Sequence, residues 1–120
     1  MHWWGIVENK FKDQGFRTEW IWMGRYKLFF LAWKGHQVQV YFVEPDSGIE
    51  PEKASGVKEL FLELFSNLRR LETWDRVFKG REVSFRWLAF RLVPEGQGQI
   101  LKEAGVEPFF FELEDGSALN

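Results

Sequence analysis

The residues best suited to chemistry in this 120-residue chain are basic and aromatic side chains between positions 69 and 91. Lys and Arg outnumber acidic residues about two to one in this segment. Guanidinium and ammonium groups bind phosphates, and flat aromatic rings stack on nucleic-acid bases. The pattern therefore predicts a nucleic-acid-binding surface, formed by Arg76, Lys79, Arg81, Arg86, Trp87 and Arg91.

An alternative explanation is that these arginines are paired inside the fold. The segment from Glu103 to Asp115 contains acids and no base, so the net charge of −2 hides an uneven distribution. Acids on a neighbouring strand or helix would then neutralise the arginines, the candidates being Glu103, Glu112 and Glu114. The sequence leaves both explanations open.

Residues for catalysis or for a metal site are sparse. The two histidines, His2 near the N-terminus and His36 in a predicted turn, support neither a nucleophile relay nor a metal site. The absence of Cys removes disulfides, zinc–thiolate sites and thiol nucleophiles. We therefore expect no catalytic residue, no metal and no cofactor, and a binding protein rather than an enzyme.

One loop does concentrate acidic residues, namely Glu44, Asp46, Glu50 and Glu52. Their spacing is not that of a twelve-residue calcium loop. Acids that precede a helix also favour the positive end of its dipole. We interpret them as helix N-terminal acids.

The element that must position the basic segment is a long amphipathic helix, predicted from Glu50 to Trp74 with Pro51 in its first turn. Its apolar residues recur at intervals of three and four, and they are Val57, Leu60, Phe61, Leu64, Phe65, Leu68 and Leu71. Leu62 lies off this stripe. Such a stripe is stable only when strands cover it with a matching apolar surface.

The remaining elements follow from alternating and helical spacings. Strands are predicted at 16–23, 26–33, 37–43, 82–93 and 106–113, and shorter helices at 2–14 and 97–104. Short turns make the first three strands an antiparallel meander, and the two later helical crossovers give a mixed sheet. Pro108 places the last strand at an edge.

The predicted fold class is therefore α/β (α+β), with one mixed five-stranded sheet and helices packed on it. We expect residues 1–120 to form a single domain, with 114–120 as a frayed polar tail.

This element order resembles the core of the restriction-endonuclease-like nucleases, the PD-(D/E)XK group. The resemblance implies an Asp at the start of the second strand and a Glu-x-Lys on the third, where carboxylates hold Mg²⁺. Here the second strand opens with Tyr26 and Lys27, and residues 37–43 contain no acid. Only Glu8 matches a Glu that some members carry on the first helix. The resemblance thus implies a nuclease-like scaffold that has lost its chemistry.

Aromatic residues are numerous, with seven Trp and thirteen Phe. More large rings fall on the strands than one sheet face hides easily, and an exposed aromatic patch is typical of an interface. This predicts a homo-oligomer whose interface contains Trp20, Trp22 and Trp33.

No apolar run approaches the about 18 residues of a membrane span, so we expect a cytoplasmic protein. Two Met, no Cys and little Asn favour a thermophilic source. Our functional hypothesis is a non-catalytic nucleic-acid-associated binding protein. The alternative is a protein–protein interaction or assembly protein, a homodimer with an aromatic-rich interface.

Overall fold

A computed structural model describes residues 3–24, 27–44, 56–69 and 71–112. Its elements in chain order are α1 (Trp3–Asp13), β1 (Arg17–Met23), β2 (Lys27–Lys34), β3 (Gln37–Val43), α2 (Val57–Leu68), a π-helical turn (Trp74–Phe78), β4 (Glu82–Ala89), α3 (Glu95–Glu103) and β5 (Val106–Phe110). The predicted fold class is confirmed: one mixed five-stranded sheet carries helices packed on it.

The order of strands in the sheet is the order of strands in the chain, β1-β2-β3-β4-β5. The first three strands pair antiparallel, as their short connections predict, and β4 and β5 add in parallel. Gly35 has a positive φ of 60° in the turn between β2 and β3, a conformation that glycine adopts without strain. Pro108 lies in β5 at the sheet edge, as expected.

One face of the sheet is covered by α2. Phe61, Leu64 and Leu68 are buried against residues of the central strands, including Phe29 and Trp87. Leu62 points away and is 57% exposed, as its place off the stripe predicts. The apolar stripe therefore fixes how the helix lies on the sheet.

The long helix ends earlier than its spacing predicts. α2 ends at Leu68, and the Leu71 amide turns the chain by bonding the Leu68 carbonyl at 2.9 Å. Leu71 is consequently 55% exposed, whereas the stripe predicted it to be buried. Val77 and Phe78 of the π-helical turn fill the core instead, where a loop was predicted. The predicted start of the helix at 50–51 lies outside the described residues.

The opposite face of the sheet is covered by α1. Val7 and Phe11 are buried against Phe30, Tyr41 and Leu88. The strand β2 is apolar on both of its faces because helices cover both faces of the sheet.

The fourth strand is shorter than predicted. β4 ends at Ala89, so Arg91 lies beyond the strand and not on the face opposite Arg86. β5 ends at Phe110, and Leu113 with the predicted tail at 114–120 lies outside the described residues. Within the parts of the chain described, no helix has the length and apolar character to cross a membrane.

Candidate nucleic-acid interface

Three of the predicted basic residues are gathered at one end of the sheet. Strand register brings together the start of β1, the end of β2 and the starts of β3 and β4. We define the basic end as the five cationic residues at this position, which are Arg17, Lys34, Arg76, Lys79 and Arg81. Neither Arg17 nor Lys34 was in the predicted set, because only the sheet register brings them beside the basic segment.

Arg81 is the organising residue of the basic end. Its guanidinium donates hydrogen bonds to the backbone carbonyls of Gly35 at 2.9 Å, Arg76 at 3.1 Å and Val77 at 3.0 Å. These bonds join the turn before β4 to the turn between β2 and β3. Within the described residues no carboxylate forms an ion pair with Arg81, so its positive charge is held in place without being neutralised.

The other basic residues differ in how far their charge is compensated. Arg76 pairs with Glu19 at 3.0 Å and with Glu72 at 3.7 Å, so it is internally paired. Lys79 and Arg17 are exposed, and neither forms an ion pair with any acid that the structure describes. The accessible positive charge therefore comes mainly from Lys79, Arg17 and Arg81.

Lys34 is held against the C-terminal end of α1. Its Nζ donates to the Gln14 carbonyl at 2.9 Å and lies 4.5 Å from the centre of the Phe16 ring. A cation at a helix C-terminus is favoured by the helix dipole. Lys34 thus places a further positive charge at this end of the sheet, on the face covered by α1.

Arg86 lies away from the basic end, in the middle of β4 and on the face covered by α1. It is in register with Tyr41 of β3, and its guanidinium carbon is 5.9 Å from the centre of the Tyr41 ring. Its Nε is buried and has no hydrogen-bond partner. Burial raises the pKa of Tyr41 to about 12, although the charge of Arg86 and its hydrogen bond act in the opposite direction.

Trp87 is not exposed at the surface. It is fully buried in the core beneath α2, and its ring centre lies 5.0 Å from that of Phe42. The prediction of an exposed ring at this position is wrong, because α2 covers the face of β4 from which Trp87 projects. Stacking on bases through Trp87 is excluded in this arrangement.

Arg91 lies at the opposite end of the sheet, where it pairs with Glu44. The Arg91 Nε is 3.5 Å from Glu44 Oε2, and the Trp87 Nε1 donates to Glu44 Oε1 at 3.4 Å. Burial raises the pKa of Glu44, while the charge of Arg91 and the bond from Trp87 lower it. Arg91 was predicted to bind nucleic acid, and internal pairing was the alternative, with Glu103, Glu112 or Glu114 as the partner.

Sequence reasoning missed Glu44 because 47 residues separate it from Arg91 and only the parallel pairing of β3 with β4 joins them. It was grouped instead with Asp46, Glu50 and Glu52, which lie outside the described residues. A lone acid directly after an apolar strand was the available signal.

The positions that would carry a nuclease motif hold no metal-binding set among the residues described. Lys27 opens β2 and pairs with Glu63 at 3.0 Å, and β3 contains no acid. Glu44 follows β3 at the same end of the sheet, but Arg91 neutralises it. The described part of the chain contains no group of three His, Asp or Glu residues suited to a metal ion. Glu8 pairs with Lys12 at 3.1 Å.

The three tryptophans predicted for an interface occupy different environments. Trp22 is 65% exposed on the edge strand β1, Trp20 is half-buried beside Trp3, and Trp33 is buried. The expectation of a surface role for Trp33 is wrong, because α2 and the π-helical turn cover its face of the sheet. An apolar cavity of about 210 Å³ lies beside Trp22, lined by Trp3, Trp4, Trp20, Trp22 and Leu28.

Comparison with known proteins shows that the fold of this chain is similar to that of a solved structure. No family model and no curated protein sequence matches the chain. The solved structure of EndoMS in its apo form superposes with a TM-score of 0.56 at 17% sequence identity, over 92% of this chain. The chain covers 46% of EndoMS, so it spans about half the length of that protein. At this identity the likeness concerns the fold alone.

A second structure, the Mos1 transposase catalytic domain with raltegravir and Mn, also aligns with the chain. Its TM-score is 0.30 at 12% identity, and the alignment covers 92% of this chain and 58% of that one. A TM-score at this level supports no conclusion about shared structure.

Proposed function

We propose that this chain is a nucleic-acid-associated binding protein, built on a nuclease-like fold and without nuclease chemistry of its own. The observation that carries the proposal is the basic end, where Arg81 is fixed by three backbone carbonyls and its charge meets no carboxylate of the described residues. The likeness to EndoMS bears on the fold part of the proposal alone.

The basic end is suited to the phosphate backbone. Arg17, at the start of β1, and Lys79, in the turn before β4, are both exposed. Cations that contact phosphates release counterions, so the affinity falls steeply with salt. Contacts of this kind carry no base sequence information. We therefore propose that the basic end binds nucleic acids of many base sequences.

The non-catalytic part of the proposal rests on the positions that would hold a metal. Lys27 stands where the nuclease resemblance implies an Asp, and a lysine repels a divalent cation. The nearby acids among the described residues are Glu63, which pairs with Lys27, and Glu44, which pairs with Arg91. Carboxylates that are each paired with a cation are a poor ligand set for Mg²⁺, which prefers several oxygen ligands.

Fluorescence anisotropy with single- and double-stranded DNA and RNA, at low and high salt, tests the binding proposal. We expect salt-sensitive binding, weakened roughly tenfold when Arg17→Gln and Lys79→Gln are combined, because two phosphate contacts are lost. The matched control combines Lys58→Gln with Lys102→Gln, two exposed lysines outside the basic end. Absence of salt-sensitive binding to all four nucleic acids, or an equal loss in the control, contradicts the proposal.

Incubation of supercoiled and branched DNA with Mg²⁺ or Mn²⁺ tests the absence of nuclease chemistry. We expect no cleavage. Cleavage by the purified protein that disappears in Glu44→Gln would show that Glu44 is catalytic and would reverse this part of the proposal.

A second candidate function is self-assembly through the tryptophan surface. Its support is the exposure of Trp22 and Trp4, at 65% and 47%, around an apolar cavity on the edge strand β1. Exposed apolar patches rimmed by polar residues are typical of interfaces. Light scattering over a range of concentrations tests it: we expect a dimer that Trp22→Gln dissociates, while Leu92→Gln, at another exposed apolar residue, has no effect. A monomer at every concentration would exclude this candidate.

A further inference from the structure

A cavity of about 350 Å³ lies on the α1 face of the sheet, and Lys34 of the basic end contacts two of its lining residues, Gln14 and Phe16. Small-molecule sites typically have volumes of about 300–1,000 Å³ and combine apolar walls with a few converging polar groups. The cavity has both kinds of lining, contributed by α1, β3, β4 and the residues around β5. It therefore has the size and composition of a small-molecule site.

The walls of the cavity are aromatic rings held at fixed angles. Phe11 and Tyr41 are 5.5 Å apart between ring centres and inclined by 70°, and Tyr41 and Phe109 are 5.6 Å apart and inclined by 72°. Phe16 packs edge-on against Phe11 at 5.6 Å. Phe11 and Tyr41 are buried, whereas Phe16 and Phe109 are partly exposed in the lining, so the last two rings can face a flat heteroaromatic ligand.

Two cations line the same cavity. Arg86 forms no ion pair with a carboxylate of the described residues, and its buried Nε lacks a hydrogen-bond partner. Lys10 reaches the cavity from α1, with its Nζ 5.4 Å from the centre of the Phe111 ring. A half-buried guanidinium without a counter-ion favours an anionic ligand, and phosphate suits its planar array of donors.

Amide and carboxylate groups complete the lining. Tyr41 Oη donates to Gln39 Oε1 at 2.8 Å, so the amide N–H groups of Gln39 remain as donors toward the cavity, which Gln14 also lines. Amide side chains are suited to the donor and acceptor edges of a base. Glu112 is exposed at the rim and repels an anion, so it reduces the net positive charge of the lining from two to one.

We propose that this cavity binds a nucleotide, with its phosphate at Arg86 and Lys10 and its base against the rings of Phe16 and Phe109. An aromatic acid with a single carboxylate would use one cation and leave the amides without partners. A nucleotide uses both cations, the rings and the amides. The same chemistry is present in a free mononucleotide and in a terminal nucleotide of a strand. The cavity is not lined by Arg17, Lys79 or Arg81 of the basic end.

Isothermal titration with adenosine and uridine monophosphates tests the proposal, with adenosine and inorganic phosphate as partial ligands. We expect both monophosphates to bind at least tenfold more tightly than either partial ligand. Arg86→Gln should weaken binding tenfold or more, and Lys10→Gln, at an exposed residue, should weaken it several-fold without affecting folding. Glu112→Gln should tighten binding, because it removes the repelling charge.

Lys79→Gln, at the basic end, is the matched control and should leave mononucleotide affinity unchanged. Oligonucleotides with and without a terminal phosphate separate the two sources of the ligand: tighter binding of the phosphorylated strand, lost in Lys10→Gln, identifies a strand terminus. No binding of either mononucleotide, or equal binding by the wild type and the Arg86→Gln and Lys10→Gln variants, overturns the proposal. Long-strand binding that depends on Arg17 and Lys79 would still support the basic end independently.

Discussion

Arg91 and Glu44 join the ends of two parallel strands through an ion pair of 3.5 Å, in which the carboxylate is buried and the arginine half-exposed. The pair lies where β3 and β4 both end, and it anchors the chain just before the undescribed residues 45–55. A buried carboxylate costs free energy unless a partner compensates it. Arg91 therefore offsets part of the free-energy cost of burying the Glu44 carboxylate.

Removing Arg91 should destabilise the protein in a pH-dependent way. Burial raises the pKa of Glu44 and Arg91 partly opposes the rise, so Arg91→Gln leaves a buried charge without its partner. We expect Arg91→Gln to cost about 1–3 kcal/mol at pH 7. The cost should shrink as Glu44 is protonated toward pH 4, and denaturant unfolding at the two pH values measures it.

Replacing Glu44 should change the stability in the opposite direction to replacing Arg91. Because the folded-state pKa of Glu44 is raised, its contribution to stability is present below the ordinary pKa of about 4.5 and is lost as the pH rises through the raised value. Glu44→Gln should therefore gain stability relative to the wild type as the pH rises from 4 to 7. A difference that is constant with pH would contradict the raised pKa.

Arg81 should be irreplaceable by lysine. Its guanidinium bonds three carbonyls from two separate turns, a geometry that a single ammonium does not reproduce. We expect Arg81→Lys to lower the free energy of unfolding by about 1–3 kcal/mol. Lys79→Ala, at an exposed position two residues away, should stay within about 0.5 kcal/mol. Thermal or denaturant unfolding of both variants checks the difference.

Replacing Leu64 by alanine should cost far more stability than replacing Leu62. Leu64 is fully buried under the sheet and Leu62 is exposed on the same helix. Leu64→Ala should cost about 2–5 kcal/mol because it leaves a cavity, and Leu62→Ala less than about 0.5 kcal/mol. Equal costs would mean that α2 does not lie on the sheet through its apolar stripe.

Tyr41 should titrate far above an ordinary tyrosine. Its pKa is raised from 10.0 to about 12 by burial, so the ionisation signal that Tyr41→Phe removes should appear near pH 12 in ultraviolet absorbance. The raised value also means that its stabilising contribution is present below pH 10 and is lost as the pH rises toward 12. If the ionisation signal that Tyr41→Phe removes appeared near pH 10 instead, the Tyr41 ring would be exposed.

Local spacing predicted most of the fold and less of the site. Strand β3 has the predicted bounds, and the meander followed from short turns. The end of α2 at Leu68 was not predictable, because Leu71 continues the helical spacing while the backbone turns away. Propensity alone does not reveal which later residues will occupy the core, and here they are Val77 and Phe78.

The site depended on pairings between distant residues. Arg17 and Lys34 join the basic end only through strand register, and Glu44 meets Arg91 only through the parallel pairing of β3 with β4. Trp87 was expected at the surface because alternation along β4 does not say which face a helix covers. These contacts join residues that are distant in the sequence, so local sequence patterns do not predict them.

The agreement between strand order and chain order has a consequence for how the sheet assembles. The β1–β2–β3 meander needs only short loops to close, so it can form first, as its strands leave the ribosome. The parallel pairing of β3 with β4 must close the long connection that contains α2, which carries a larger entropic cost. We expect the meander to be the nucleus on which the later half of the chain condenses.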